Sequence, residues 1–325
     1  MTPRAAAPGP VVALLVALLA GCGATKDGPR DASTQDAAPP SAGATTTSTS
    51  PPSAAPSVAG DAEALENAKQ LAKLAIAAQE SAAKLNAQSD ASVEPREGPV
   101  LGGDISWPQC PPGMGIPHKI SSGQPMPRDD AEYVVIGLTN GPGFHANPCL
   151  ADQVAYAKER GLLVAAYSVI SWPDEAAQEQ YGGLEEAGHA QAEFNLQSMK
   201  AAGLDSPIIW LDIEQVPHYE WSTSTAANAE VVLGAAKGYA EGGYSVGVYS
   251  TPAIWAGIVG DLSLGVPEWR AAGQTSQEEA LSRCGNDWLI QGGIGALAQW
   301  VEDGRDRNIT CPGTESELGD YFRNL

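Results

Sequence analysis

Pro207-Ile208-Ile209-Trp210-Leu211-Asp212-Ile213-Glu214 is the stretch on which the reading of this chain turns. It is an apolar run that reads as a buried strand and ends in two carboxylates spaced i, i+2. On a strand that spacing turns both side chains to one face, with Cα atoms ~6.6 Å apart. Like charges at such range push their pKa values apart, so one group holds a proton while the other stays ionised. The bland alternative is an acidic loop after a core strand.

Around this run, the chain from Val100 to Leu325 is about 225 residues long, enough to bury one sizeable core. Apolar runs predict strands at Val100–Ile105, Tyr133–Leu138, Leu162–Tyr167, Pro207–Ile213, Ser245–Tyr249, Trp269–Ala272 and Ala296–Trp300. Helical patterns lie between them at Cys149–Arg160, Asp174–Ala202 (with Gly182-Gly183 as a point for a break) and Thr225–Gly242. Strand and helix in alternation with short turns predict an α/β domain on a parallel sheet. At this length the expected form is a single (β/α) TIM-like barrel over residues 98–325. The first strand is not followed by G-x-G-x-x-G, which disfavours an open dinucleotide-binding sheet.

A barrel of this kind gathers its chemistry at the C-terminal ends of the strands. Those ends carry Asp104-Ile105-Ser106-Trp107, Tyr167, Asp212-Ile213-Glu214, Tyr249 and Gln299-Trp300. Carboxylates serve the cleavage of glycosidic bonds, and aromatic faces stack on the C–H groups of sugar rings.

The first 21 residues read as an export signal, with Arg4 ahead of the apolar Val11–Ala20, a run too short for a permanent membrane span. It closes on Leu19-Ala20-Gly21-Cys22, which resembles a bacterial lipobox, so Cys22 is the expected lipidation site (palmitate-type acyl chains). Each buried CH₂ adds about 0.8 kcal/mol, and more than one chain gives a stable anchor. The expected place is the outer face of the cytoplasmic membrane. Residues 22–60 are rich in Ala, Ser, Thr and Pro, too poor in large apolar residues to fold, and read as a disordered linker. Residues 61–88 read as a helical stalk, with Asp61 as N-cap and Glu63 in the first turn.

Apart from Cys22 the chain has four cysteines, an even number that suits two disulfides in an exported domain. Of the three pairings possible, Cys110–Cys149 and Cys284–Cys311 are favoured because each joins neighbours in chain order. Each is expected to contribute about 3–5 kcal/mol. No C-x₂-C pair suggests zinc, and nothing calls for a metal or an organic cofactor. The net charge of −21 argues against nucleic acid and against anionic lipid surfaces as partners. A monomer is expected.

Six short motifs in order resemble the family 25 glycoside hydrolases, the Chalaropsis-type lysozymes, and most closely a divergent actinobacterial branch. They are Asp104-Ile105-Ser106, Ala165-Ala166-Tyr167, Leu211-Asp212-Ile213-Glu214, Gly247-Val248-Tyr249-Ser250, Trp269-Arg270-Ala271, and Gln299-Trp300 with Asp306-Arg307-Asn308. The resemblance implies cleavage of the β-1,4 bond between N-acetylmuramic acid and N-acetylglucosamine in peptidoglycan. It makes Glu214 the general acid. Asp212 would stabilise positive charge or orient the substrate's acetamido group, Asp104 would tune the acid, and Asp306 would complete the cleft. Asp303, in the same charged loop, is the alternative to Asp306. Tyr167, Tyr249, Gln299 and Trp300 would line the substrate site.

The chain departs from the family pattern at Gly137-Leu138-Thr139-Asn140-Gly141, where an acid is replaced, and at Ser168, where a His is usual. It departs also at Trp107-Pro108-Gln109-Cys110 and in the reversed order of Gln299-Trp300. A second reading is therefore a catalytically inactive barrel lipoprotein that binds wall glycan. A third, a solute-binding lipoprotein, would need two lobes and a hinge. Ser106 and Ser250 lack the nucleophile elbow of a serine hydrolase. His218, four residues after Glu214, has no further ligand at metal-site spacing and reads as a loop residue near the cleft.

Overall fold

In the computed structural model, which describes residues 93–325, Ile208–Asp212 is a strand buried along its whole length. It is β6 of the ten strands described: β1 Leu101–Ile105, β2 Gly115–Ile116, β3 Lys119–Ile120, β4 Tyr133–Gly137, β5 Leu163–Val169, β6, β7 Ser245–Ser250, β8 Glu268–Gln274, β9 Gly295–Glu302 and β10 Arg305–Thr310. Eight of them close a barrel in the order β1-β10-β9-β8-β7-β6-β5-β4, while β2 and β3 form a separate hairpin. The neighbours from β4 through β9, and the pair β1–β4, are parallel; β10 is antiparallel to both β9 and β1. The helices are α1 Leu150–Glu159, α2 Glu175–Tyr181, α3 Leu184–Ala201, α4 Thr225–Glu241, α5 Pro252–Val259, α6 Gln277–Ser282 and the single turn α7 Leu318–Tyr321. The expected signal segment, linker and stalk, with Cys22, lie outside the described residues. Among the described residues no helix is long and apolar enough to cross a membrane.

All seven expected strands are present, and an eighth closes the barrel. The sequence Arg305-Asp306-Arg307-Asn308-Ile309-Thr310 reads as a charged loop, yet it forms β10. Asp303 and Gly304 supply the hairpin turn, with φ of 51° and 68°, and Glu302 pairs with Arg305 across it. Two residues at positive φ are what a tight type I′ hairpin needs, and Asp-Gly is a preferred pair for it. The break expected near Gly182-Gly183 is real: α2 ends at Tyr181 with Gly182 at φ 94°.

Alternation along the strands sorts the core into two layers. Outward residues such as Ile136, Val164, Ile209 and Val248 pack with Leu196, Val231 and Tyr239 of the helices. Inward residues Tyr133, Val135, Leu163, Trp210, Trp269 and Leu297 fill the barrel, and Tyr321 and Phe322 plug its floor. Phe322 lies 4.4 Å from Tyr133 by ring centroids, and Arg323 pairs with Val164 to hold the plug. Room for these rings comes from glycine. A Cβ on Gly247 would fall 2.3 Å from the Trp210 ring, and one on Gly102 would fall 2.4 Å from Tyr133.

Two disulfides join the pairs favoured from sequence, Cys110–Cys149 and Cys284–Cys311. The first ties the long β1–β4 excursion to the start of α1. The second ties the loop after α6 to the end of β10. A buried ion pair braces the same side: Arg270 Nε donates to Glu268 Oε2 at 2.8 Å, and Arg270 Nη1 donates to the carbonyls of Arg283 and Gly285, both at 2.7 Å. Glu268 in turn accepts from the backbone N–H groups of Ile290, Gln291 and Gly293.

Candidate active site

The inward alternation that places aromatic rings low in the barrel places acids at its upper rim. On β1, Gly102 and Asp104 face in. On β6, Ile208, Trp210 and Asp212 face in, and Glu214 continues the pattern two residues beyond the strand. Ile213 between them faces out, fully buried against the helices. Its backbone is held on both sides: Ile213 N–H donates to Tyr249 O at 3.0 Å, and Ser250 Oγ donates to Ile213 O at 2.7 Å. Trp221 Nε1 donates to the carbonyl of Glu214 at 3.0 Å. The carboxylate pair thus sits on a fixed stem.

Asp104 is the most tightly held of the acids. Its Oδ2 accepts from Gln299 Nε2 at 2.9 Å and from Asn308 Nδ2 at 2.7 Å. Each amide is oriented by its other end. Tyr249 OH donates to Gln299 Oε1 at 2.7 Å, and Trp269 Nε1, which can only donate, gives its proton to Asn308 Oδ1 at 2.7 Å. Asp212 is equally buried, but its Oδ1 has no hydrogen-bond partner among the described residues.

Burial in one acidic chamber raises every carboxyl there. Burial lifts Asp104 well above the usual range and Asp306 adds to it, while the Gln299 and Asn308 amides oppose the shift. Asp212 is raised by burial and then by Glu214 and Asp104. Glu214 is pushed up to about 7, by burial first; Lys119 pulls it down and Asp306 pushes it up. Burial alone takes Asp306 to about 6. Mutual repulsion joins Asp104, Asp212, Glu214 and Asp306 into one electrostatic unit.

Tyr167 and Tyr249 also face the chamber, partly exposed, with their rings 5.8 Å and 4.6 Å from that of Trp269. Trp269, read from sequence as packing, is indeed buried inside the barrel. Gln299 is in the site, with both ends of its amide engaged in holding Asp104 and Tyr249. Trp300 is not. It follows Gln299 on β9 and therefore points the opposite way, into an outer cluster with Ala280, Ile309 and Cys311, where Arg307 lies 5.2 Å from its ring. The expectation that Trp300 lines the substrate site is corrected by strand alternation. Asp303 also drops out, since it occupies the hairpin turn and pairs with Arg128 on the surface. His218 stacks on His118 with centroids 4.3 Å apart, and no group of three His, Cys, Asp or Glu residues among those described is arranged to hold a metal ion.

Two residues of the site were given no role in the reading of the sequence. Asn308 was quoted only as the end of the Asp306-Arg307-Asn308 motif, with no role given to it, and its place two residues after Asp306 becomes meaningful once β10 is a strand. Lys119 arrives from a hairpin in the β1–β4 excursion, and no local pattern announces it.

A family model described as Lysozyme-like protein 1 matches residues 144–280. A curated relative, "Probable GH family 25 lysozyme 3" of Dictyostelium discoideum, is 29% identical over 138 residues, which are 42% of this chain and 26% of the relative. This chain thus spans about a quarter of that relative's length. Among solved structures, a muramidase from Acremonium alcalophilum aligns with a TM-score of 0.46 at 19% identity, over 68% of this chain and 99% of that one. A bacterial lysozyme from Streptomyces coelicolor aligns with a TM-score of 0.46 at 16% identity, over 69% of this chain and 97% of that one. Residues 144–280, the stretch that carries Tyr167, Asp212, Glu214 and Tyr249, are therefore similar to a lysozyme-like family, and a stretch of 138 residues is similar to a glycoside hydrolase family 25 lysozyme.

Proposed function

We propose that this protein is a muramidase-type glycoside hydrolase acting on peptidoglycan or a related wall glycan. The observation that carries this reading is Glu214, a carboxyl held near neutrality by burial at a rim shared with Asp104, Asp212 and Asp306. A group with a pKa near 7 is protonated for part of the time at neutral pH and suits general acid catalysis. In the proposed reaction Glu214 protonates the glycosidic oxygen as the bond to the anomeric carbon breaks, and water adds to that carbon with its proton passing to a rim carboxylate. Asp212, whose Oδ1 has no hydrogen-bond partner among the described residues, accepts the N–H of the sugar's acetamido group or faces the positive charge that develops on the ring. Asp104, fixed by Gln299 and Asn308, tunes the acid from the same chamber. Asp306 raises the pKa of Glu214 from across the chamber. Tyr167 and Tyr249 offer ring faces to the sugar.

The two disulfides suit an exported domain. Leu19-Ala20-Gly21-Cys22 after a short apolar run supports a lipid anchor on Cys22 at the outer face of the cell membrane. Labelling with a tagged palmitate, lost on Cys22→Ala, tests that assignment.

Release of new reducing ends from purified peptidoglycan tests the hydrolase reading. Activity that Glu214→Gln abolishes supports it. Absence of release over several wall preparations and pH values sinks it, and wall binding retained in that case favours the non-catalytic barrel that the altered end of β4 at Asn140 suggests.

A further inference from the structure

Between β1 and β4 the chain leaves the barrel for an excursion that a disulfide, Cys110–Cys149, fastens at its root. Ser121 closes its neck by donating Oγ to Pro108 O at 2.8 Å, and Ser121 N–H donates to Met114 O at 2.8 Å. The tip is the hairpin of β2 and β3, turning at Pro117-His118 with His118 at φ 68°. This tip docks on the loop that follows Glu214. The His118 and His218 rings stack at 4.3 Å, and Tyr219 OH donates to Pro117 O at 3.4 Å.

Lys119 comes directly after the turn. Its stem lies over the bare backbone of Gly141, where a Cβ would meet Cγ, Cδ and Cε of the lysine at 3.4 Å and where φ of +95° already favours glycine. Its ammonium is 5.9 Å from the centre of the Trp107 ring, at the end of β1. The side chain is partly buried, forms no hydrogen bond or ion pair among the described residues, and interacts electrostatically with Glu214. A half-buried ammonium without a hydrogen bond or ion pair among the described residues is uncommon, because burial penalises its charge. Here it stands near Glu214, one of four carboxyls of the chamber.

Rim acids repel a glycan carboxylate wherever they are ionised and offer it no counter-charge where they are neutral, so the Lys119 ammonium is the complementary group for a glycan that carries a carboxylate of its own. We propose that Lys119 is a specificity-determining residue whose ammonium binds the carboxylate of an acidic N-acetylhexosamine, such as the lactyl group of a muramic unit, beside the Trp107 ring. This rests on the hydrolase reading and adds to it the residue that distinguishes an acidic glycan from a neutral one.

The test is calorimetric binding to the Glu214→Gln protein, which holds substrate without cleaving it, of a tetrasaccharide of alternating N-acetylglucosamine and N-acetylmuramic acid and of N-acetylchitotetraose. Lys119→Gln is expected to weaken the acidic saccharide roughly tenfold and the neutral one less than twofold, the size of one charge-assisted contact. Lys119→Arg should restore most of the loss, and high salt should erase the difference between the variants. Equal weakening of both saccharides, or of neither, overturns the proposal. So does a Lys119→Gln protein that only moves the alkaline limb of the rate profile with both affinities intact, since the lysine would then act on Glu214 alone. If neither saccharide binds and the unaltered protein releases no reducing ends, the hydrolase reading itself fails, and this assignment with it.

Discussion

Asn308 lies opposite Gly102 on the neighbouring antiparallel strand, and its amide reaches diagonally to donate to Oδ2 of Asp104 at 2.7 Å. Trp269 leaves Asn308 no choice in this, because its indole N–H occupies the carbonyl end of the amide. Asn308→Ala therefore removes a donor from a buried carboxylate and strands the indole N–H as well. Each unsatisfied buried group costs about 1–3 kcal/mol. The expected outcome is a fall in kcat of roughly tenfold, with KM little changed, and a lower melting temperature by several degrees. A variant with unaltered kcat would show that Asp104 needs no such orientation.

The Glu268–Arg270 pair lies on the opposite, outward side of β8, and its two side chains are 0% and 1% exposed. Removing one partner of a buried pair leaves an uncompensated charge, at a cost of about 3–5 kcal/mol. Arg270→Met also frees the carbonyls of Arg283 and Gly285 and loosens the loop before β9. Thermal or denaturant unfolding should show that loss. Replacing both residues by apolar ones of similar volume should recover much of it, because the desolvation penalty disappears together with the attraction.

Asp212 and Glu214 were legible in the sequence because an apolar strand with a strict period of two leaves little freedom in where its last side chains point. The closing strand was not, for the same physical reason inverted. β10 turns Asp306 and Asn308 into a polar chamber, so its inward face lacks the apolar signal by which strands are recognised; only Asp303-Gly304 marked the hairpin. Trp300 was misplaced by a single step of alternation. Lys119 depends on a disulfide-fastened excursion and on contacts between residues far apart in sequence, His118 with His218 and Pro117 with Tyr219, and those are tertiary facts.

The Cys110–Cys149 bridge closes a loop with a sequence separation of 39 residues at the root of the excursion that carries Lys119. Replacing both cysteines by serine should cost about 2–5 kcal/mol of stability. It should also weaken glycan binding, since the hairpin loses its fixed base. Replacing Cys284 and Cys311, which belong to the outer cluster beside Trp300, should lower the melting temperature without that loss of affinity. Paired melting and binding measurements separate the two. Equal effects on affinity would mean that the excursion is positioned by the barrel alone.

The acidic chamber sets the direction of the pH dependence. Glu214 rises from an ordinary value of 4.5 to about 7 on folding, and Asp306 rises to about 6. If Glu214 is the general acid, the rate should decline as pH rises through about 7, approaching tenfold per unit above it. Stability should move the same way. Groups whose pKa is raised in the fold bind more protons in the native state than in the unfolded chain, so their contribution is fully present below the unfolded value and is lost as pH rises through the folded one. For Glu214 that window runs from 4.5 to about 7. The melting temperature should therefore increase on going from pH 8 to pH ~5.5, and Glu214→Gln, which cannot titrate, should flatten part of that slope. A melting temperature that instead fell on acidification over this range would mean that the rim carboxylates are ionised and paired in the fold, which would remove the proton that the proposed mechanism requires.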